Sequence, residues 1–226
     1  MNKQIIKLSF LLILFLGFII SANSQNRELD NEYVILGMLK DVAGRAVVRG
    51  HSKRAELIDV FKMDESKQLK VFLFYLNKFI EEEKIKTVLT IDTNKDGICI
   101  YSKKLSNRIN RHFHPFMPEF KMKDYEDIIV KFRSSSLEYK DINSYIQQMS
   151  LLYGAFIRNA KTENGKTIFE FTNAVYLPEI VNKILQLNRE KLDELEYNVI
   201  TYPLQVKASI YIQPKKSKEI YLYLQE

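Results

Sequence analysis

Cysteine is nearly missing from these 226 residues. Cys99 has no partner for an intramolecular disulfide, so the fold must rest on its core. The chain after residue 24 also contains no Asn-x-Ser/Thr acceptor. Both absences lean toward a bacterial envelope or periplasm and away from a eukaryotic secretory pathway. Seven glycines in the whole chain leave little material for phosphate-cradling loops. There is no G-x-S-x-G elbow, H-E-x-x-H pair, Walker loop or G-x-G-x-x-G turn, and these gaps lower the standing of an enzyme.

Long apolar runs occur only at the N-terminus. Lys3 and Lys7 precede the apolar stretch Leu8 to Ile20, and Ala22 and Ser24 stand at minus three and minus one of a cleavage site. A span of 13 residues at about 1.5 Å each falls short of a hydrocarbon core of about 30 Å. The pattern predicts an export signal removed after Ser24, a single globular domain over 25–226, and no stable membrane insertion afterwards. The expected location is periplasmic or extracellular.

Charge of one sign is also lacking. Lys and Arg number 34 against 28 Asp and Glu; without Lys3 and Lys7 the balance is 32 against 28, or +4, with the signs interleaved. That is not the concentrated basic footprint of a nucleic-acid binder, so nucleic acid is excluded here as a partner.

What is present reads as helices mixed with strands, without regular alternation. Ile35, Met38, Leu39, Val42, Ala43 and Ala46 keep helical spacing over Asn31 to about Val48, weakened by Gly37 and Gly44. Leu57 to Phe61 suits a short strand. Leu69, Phe72, Leu73, Leu76, Phe79 and Ile80 form one stripe of a helix that Asp64 can cap, and Glu81 to Glu83 at its end read as a solvated face. Thr87 to Ile91 and Ile98 to Tyr101 flank a strong turn and predict a hairpin. Leu105 to Asp124, basic and aperiodic, reads as a loop, and Asp127 to Phe132 as a strand. Asp141 can cap a helix through Ile157. Glu163 to Gly165 turns into a strand at Thr167 to Phe171, and a further helix runs from Pro178 to Leu195. Val199 to Tyr202, Val206 to Ile212 and Ile220 to Leu224 read as a C-terminal meander. No internal repeat stands out. The expectation is an α+β fold, an antiparallel sheet of meander and hairpin packed on three to four amphipathic helices.

Three groups of residues could carry chemistry. Asp92, Asn94 and Asp96 before Gly97 have the spacing of the first half of a calcium loop, but Lys103 stands where the bidentate glutamate belongs and the same residues suit a plain turn. His112 and His114, two apart on an extended segment, could hold zinc with Glu119 or His51 and activate a water for hydrolysis. Arg108 and Arg111 beside them argue for a solvated basic loop. Tyr211, Tyr221 and Tyr223 should share one face of the meander with Lys207, a surface suited to sugars, peptides or proteins. Cys99, between Ile98 and Ile100, fits a buried strand position. The resulting expectation is a non-catalytic binding protein of the cell envelope, taking a polymer, peptide or protein, without a cofactor. The alternative is a metal-assisted hydrolase built on His112, His114 and Glu119.

Overall fold

Asp30 opens the first helix of the computed structural model, its carboxylate accepting from the backbone N–H groups of Glu32 and Tyr33. The structure describes residues 28–40, 45–49, 52–95, 97–115, 120–123, 129–163, 166–174, 176–202, 205–215 and 220. The export-signal segment Met1 to Ser24 lies outside them. Among the described residues no helix is long and apolar enough to cross a membrane.

In chain order the elements are α1 (Asn31–Met38), β1 (Arg45–Arg49), β2 (Leu57–Phe61), α2 (Ser66–Glu82), β3 (Thr90–Asn94), β4 (Gly97–Tyr101), α3 (Lys103–Ile109), β5 (Phe113–Pro115), β6 (Phe120–Lys123), β7 (Ile129–Leu137), α4 (Tyr145–Asn159), β8 (Ala160–Glu163), β9 (Lys166–Thr172), α5 (Tyr176–Leu187), β10 (Leu192–Tyr202) and β11 (Gln205–Pro214). The fold is α+β with antiparallel pairing throughout, in three sheets ordered β2–β4–β3, β10–β11–β9–β8 and β1–β7–β5, with β6 also on β7.

The succession helix, two strands, helix, two strands occurs twice, once from α1 to β4 and once from α4 to β11. The repeat that the sequence hides is therefore visible in the element order. In the second copy the first two strands, β8 and β9, pair with each other. In the first copy β1 pairs instead with β7, which arrives in the stretch between the copies.

The two copies meet at their leading helices. Gly37 of α1 and Gly154 of α4 sit at the crossing, and a Cβ on Gly37 would collide with the Leu151 carbonyl oxygen, one on Gly154 with that of Val34. Only glycine lets the backbones come this close. Seven of the eight α1 residues are buried in consequence. Around this axis, α2 covers the first sheet, with Phe72 packed on Phe61 at 5.1 Å between centroids. The inward row of the second sheet, Phe169, Phe171, Ala208, Ile210 and Ile212, is buried under α4 and α5, where Phe156 meets Phe169 edge-on.

Several boundaries differ from the sequence pattern. The first helix stops at Leu39 and Arg45–Arg49 is a strand, so its expected second half is corrected. The expected loop from Leu105 holds α3, β5 and β6. The cap of α4 is Ser144, which forms a reciprocal capping box with Gln147, not Asp141. Leu192 and Leu195 lie in β10, because Asn188 and the short turn Arg189–Lys191 end the preceding helix. Ile220 is helical and fully buried, not the start of a strand.

Candidate functional site

The ends of α1 and α4 converge on a buried cation. Arg158, in the last turn of α4, donates to the carbonyls of Met38 at 2.5 Å and Val60 at 2.7 Å and to the carboxylates of Asp59 and Glu65. Its side chain is 3% exposed, and its Cζ lies 4.1 Å from the Phe61 ring centroid. Burial alone would lower its pKa, but the charges of Asp59 and Glu65 outweigh this and hold the guanidinium above its ordinary value. Four of its five N–H groups are engaged by the chain's own acceptors, which marks this cluster as structural.

The two histidines do not share a ligand. His112 Nε2 stands 3.0 Å from Glu32 Oε1 on α1, and His114 Nε2 2.8 Å from Asp141 Oδ2 in the turn Tyr139–Asp141. Arg108 also bonds Glu32, at 3.2 Å, and reaches Glu83 at 3.4 Å. The Tyr33 hydroxyl donates to the Asp141 carbonyl, and the Tyr33 ring meets His112 edge-on. Burial works to raise the Glu32 carboxyl, but the bond and charge of His112 and then Arg108 hold it below the usual carboxylate range. Burial, aided by the neighbouring carboxylates, pushes Tyr33 up to about 12. The metal-assisted hydrolase is corrected by this geometry: each imidazole faces its own carboxylate, and no group of three metal-ligating side chains occurs among the described residues. Glu119 and His51 lie outside them.

The turn residues fare similarly. Asp92 is in β3, engaged by Lys53 at 2.7 Å and by the Thr93 N–H, and Asn94 pairs with Gly97 across the hairpin, so the described part of the calcium-like string is a strand end. Asp96 lies outside the described residues. Cys99 is buried in β4. Tyr211 and Lys207 do project opposite to Ala208, Ile210 and Ile212, with Lys207 exposed and Tyr211 half-buried; Tyr221 and Tyr223 are not described. That outward face is mixed in sign. Lys161, Lys166 and Lys207 share it with Glu163, Glu170, Glu194 and Glu196, and Lys166 is paired to Glu194 at 2.7 Å.

The third sheet is different. Its register places Arg49, Lys131 and Lys121 in one cross-strand row, Val47 and Arg133 in the next, Arg45 and Ser135 beyond, and Lys123 beside Ile129. Partners directly opposite share a face and alternate positions switch it. Arg45, Arg49, Lys121, Lys123, Lys131 and Arg133 therefore occupy one face, among Val47, Ile129 and Ser135 and without an acidic position. The row Val48, Phe132, Phe120 belongs to the other face. Val48, on the one face, is buried, and Lys121, on the other, is exposed. Sequence reasoning missed these residues, since they come from three separate segments.

No family model matches the chain, and no curated protein matches it. Solved structures do. Mesophilic variants from the homing endonuclease I-DmoI align over 86% of this chain and 92% of theirs, at 13% identity and a TM-score of 0.48. I-DmoI in complex with DNA and Ca aligns over 80% and 82%, at 14% identity and 0.47. Full-length DUF199/WhiA from Thermatoga maritima aligns over 86% of this chain but 55% of its own, at 13% identity and 0.42. The expectation was an envelope binding protein from which nucleic acid is excluded; against it, none of these three is described as an envelope protein, and one was solved with DNA.

Proposed function

We propose that the protein binds nucleic acid through the face of the sheet β1–β7–β6 on which Lys121 lies. The observation that carries this is the register itself, which gathers six Lys and Arg positions and no acid on that face. Cations two residues apart in a strand repeat at about 6.8 Å, close to the rise of two nucleotides along a duplex axis at about 3.4 Å each. The mixed face of β8–β11 offers no comparable field. Neutralising phosphates releases condensed counterions, so affinity must fall steeply with salt.

Fluorescence anisotropy with a labelled oligonucleotide across a salt series tests this. With all six cations engaged, the slope of log K against log salt approaches about −5 for a duplex. Replacing Arg49, Lys131 and Arg133 by glutamine should weaken binding at least about tenfold and flatten that slope by about 2 to 3. An unchanged slope and affinity in a variant with a native melting curve would reject the reading. We propose separately, from the pattern of Met1 to Ser24, that the chain is processed after Ser24; N-terminal sequencing of the mature protein that finds Lys3 retained disposes of this.

A further inference from the structure

Among the described residues the sheets β2–β4–β3 and β10–β11–β9–β8 end on β2, β3, β8 and β10. An outer strand offers unpaired N–H and C=O groups to any extended chain, and charges, bulges or capping groups normally blunt it. On β2 the Val60 carbonyl accepts from Arg158 at 2.7 Å, and the Asp59 carboxylate receives the Lys40 N–H. β3 carries Asp92, paired to Lys53, and β8 is four residues long with Lys161 and Glu163 exposed on it. β10 is blunted only in its first half, by Asp193, Glu194, Glu196 and a register shift between Leu192 and Glu194. From Tyr197 to Tyr202 it has no charge, proline or shift, and Val199 and Ile200 there are 51% and 52% exposed.

Val206 shows which backbone groups of β10 face the open side. Its N–H donates to Asn173 Oδ1 at 3.1 Å and its carbonyl accepts from the Asn173 N–H at 2.7 Å, at the β9 side of β11, so both are turned away from β10. Val206 stands opposite Thr201, and in an antiparallel ladder bonded and non-bonded pairs alternate. Thr201↔Val206, Val199↔Ala208 and Tyr197↔Ile210 are therefore the non-bonded pairs, in a stretch without a register shift. The N–H and C=O groups of Tyr197, Val199 and Thr201 point to the open edge.

We propose that the protein forms a symmetric dimer by antiparallel pairing of β10 with β10 of a second copy, with the twofold axis at Val199. This goes beyond the nucleic-acid reading and does not rest on it. An axis there sets Val199 against its own equivalent and Tyr197 against Thr201 of the second copy. All three positions are then bonded pairs, and every outward N–H and C=O of these residues is satisfied. The contact is isologous, as a closed dimer requires. It also covers the exposed apolar side chains: Val199 meets Val199, and Ile200 stands opposite Asn198 and diagonal to the second Ile200 at about 7 to 8 Å. The charges select this register. Glu196 falls opposite Tyr202, whereas an axis at Leu195 would set Glu194 against Glu196, and like charges directly opposite are destabilising. A second copy is the occupant because Tyr197 to Thr201 is its own antiparallel complement and carries no charge to repel itself.

Sedimentation equilibrium of the full chain from about 1 μM to about 1 mM, spanning firm to weak association, reads the dimer. The expected result is a mass that rises from one chain to two. Val199→Pro removes only an outward N–H, which an edge strand tolerates, and Val199→Lys sets two like charges against each other at the axis. Each should raise the dissociation constant at least about tenfold while melting as the wild type does. Val88→Lys, at an aliphatic residue 80% exposed and away from β10, should keep the wild-type constant. A chain that stays monomeric throughout overturns the proposal and leaves the edge to a strand of another protein. A dimer that survives both Val199 variants overturns it as well. Amide exchange needs no variant: protection at Val199 and Thr201 should rise with chain concentration, while Asn198, in a bonded pair with Ser209 of its own chain, should not change. Protection at Val199 and Thr201 that is the same at both ends of the concentration range overturns the pairing.

Discussion

A single arginine decides how the two leading helices end. Arg158 is locked by four acceptors from three elements, and Asp59 beside it is 5% exposed while also receiving the Lys40 N–H. Breaking a buried pair by deleting one partner costs about 3 to 5 kcal/mol, because the other charge is stranded. Arg158→Leu should therefore lower stability by about that amount, a large share of a total of about 5 to 15 kcal/mol. Adding Asp59→Leu should restore part of the loss, since two apolar groups in place of a buried pair are often nearly neutral. Chemical denaturation of the three variants checks this. A double variant as unstable as the sum of its parts would show that the two groups are not coupled. The same residue scale explains why Gly37 misled. It reads as a helix-weakening residue in the sequence pattern, whereas at the crossing it and Gly154 are the positions that allow α1 and α4 to touch.

At the scale of elements, what was legible is what is local. The stripe of α2, the hairpin β3–β4 and the alternation of β9 and β11 depend on neighbours within a few residues, and all appear close to where the pattern puts them. The end of α5 was illegible because Leu192 and Leu195 continue a three-four spacing while serving as strand residues of β10. The cationic face was illegible for a stronger reason. Arg45 and Arg49 are separated from Lys121 and Lys131 by more than 70 residues, and their charges sum to a field only after β7 has paired with both β1 and β6. A linear count of interleaved charges averages such a face away. The start of α4 offers a local test. Ser144 accepts from the Gln147 N–H at 3.1 Å, and Gln147 returns a bond to the Ser144 N–H at 3.2 Å. Ser144→Ala should cost about 1 kcal/mol, within the range for cap removal of about 0.5 to 2, read as a fall in melting temperature of about 2 to 4 °C. No change in melting temperature would mean that Asp141, as the sequence suggested, or another group takes over the cap.

For the whole molecule, the repeated succession of elements makes each half the missing wall of the other's core. Val34 and Met38 of α1 and Leu151 and Ala155 of α4 are fully buried and lie within a turn of the glycine crossing. Separating the halves would uncover them. At about 1.5 to 3 kcal/mol for each large aliphatic residue, Val34, Met38 and Leu151 account for about 5 to 9 kcal/mol, comparable with the entire stability of a domain of about 5 to 15. Neither half should fold alone. A break between Lys140 and Asp141 leaves β1, β5, β6 and β7 together on the first fragment, and leaves the capping box of α4 on the second. The break also places the Tyr33 bond to the Asp141 carbonyl and the His114 pair across the fragment boundary. The expected outcome is that each fragment expressed by itself lacks a cooperative melting transition, and that the two mixed in equal amounts recover one together with the oligonucleotide binding of the intact chain. A first fragment that melts cooperatively alone would show that the core of α1 is closed without α4, and the two copies would then be independent domains rather than two walls of one.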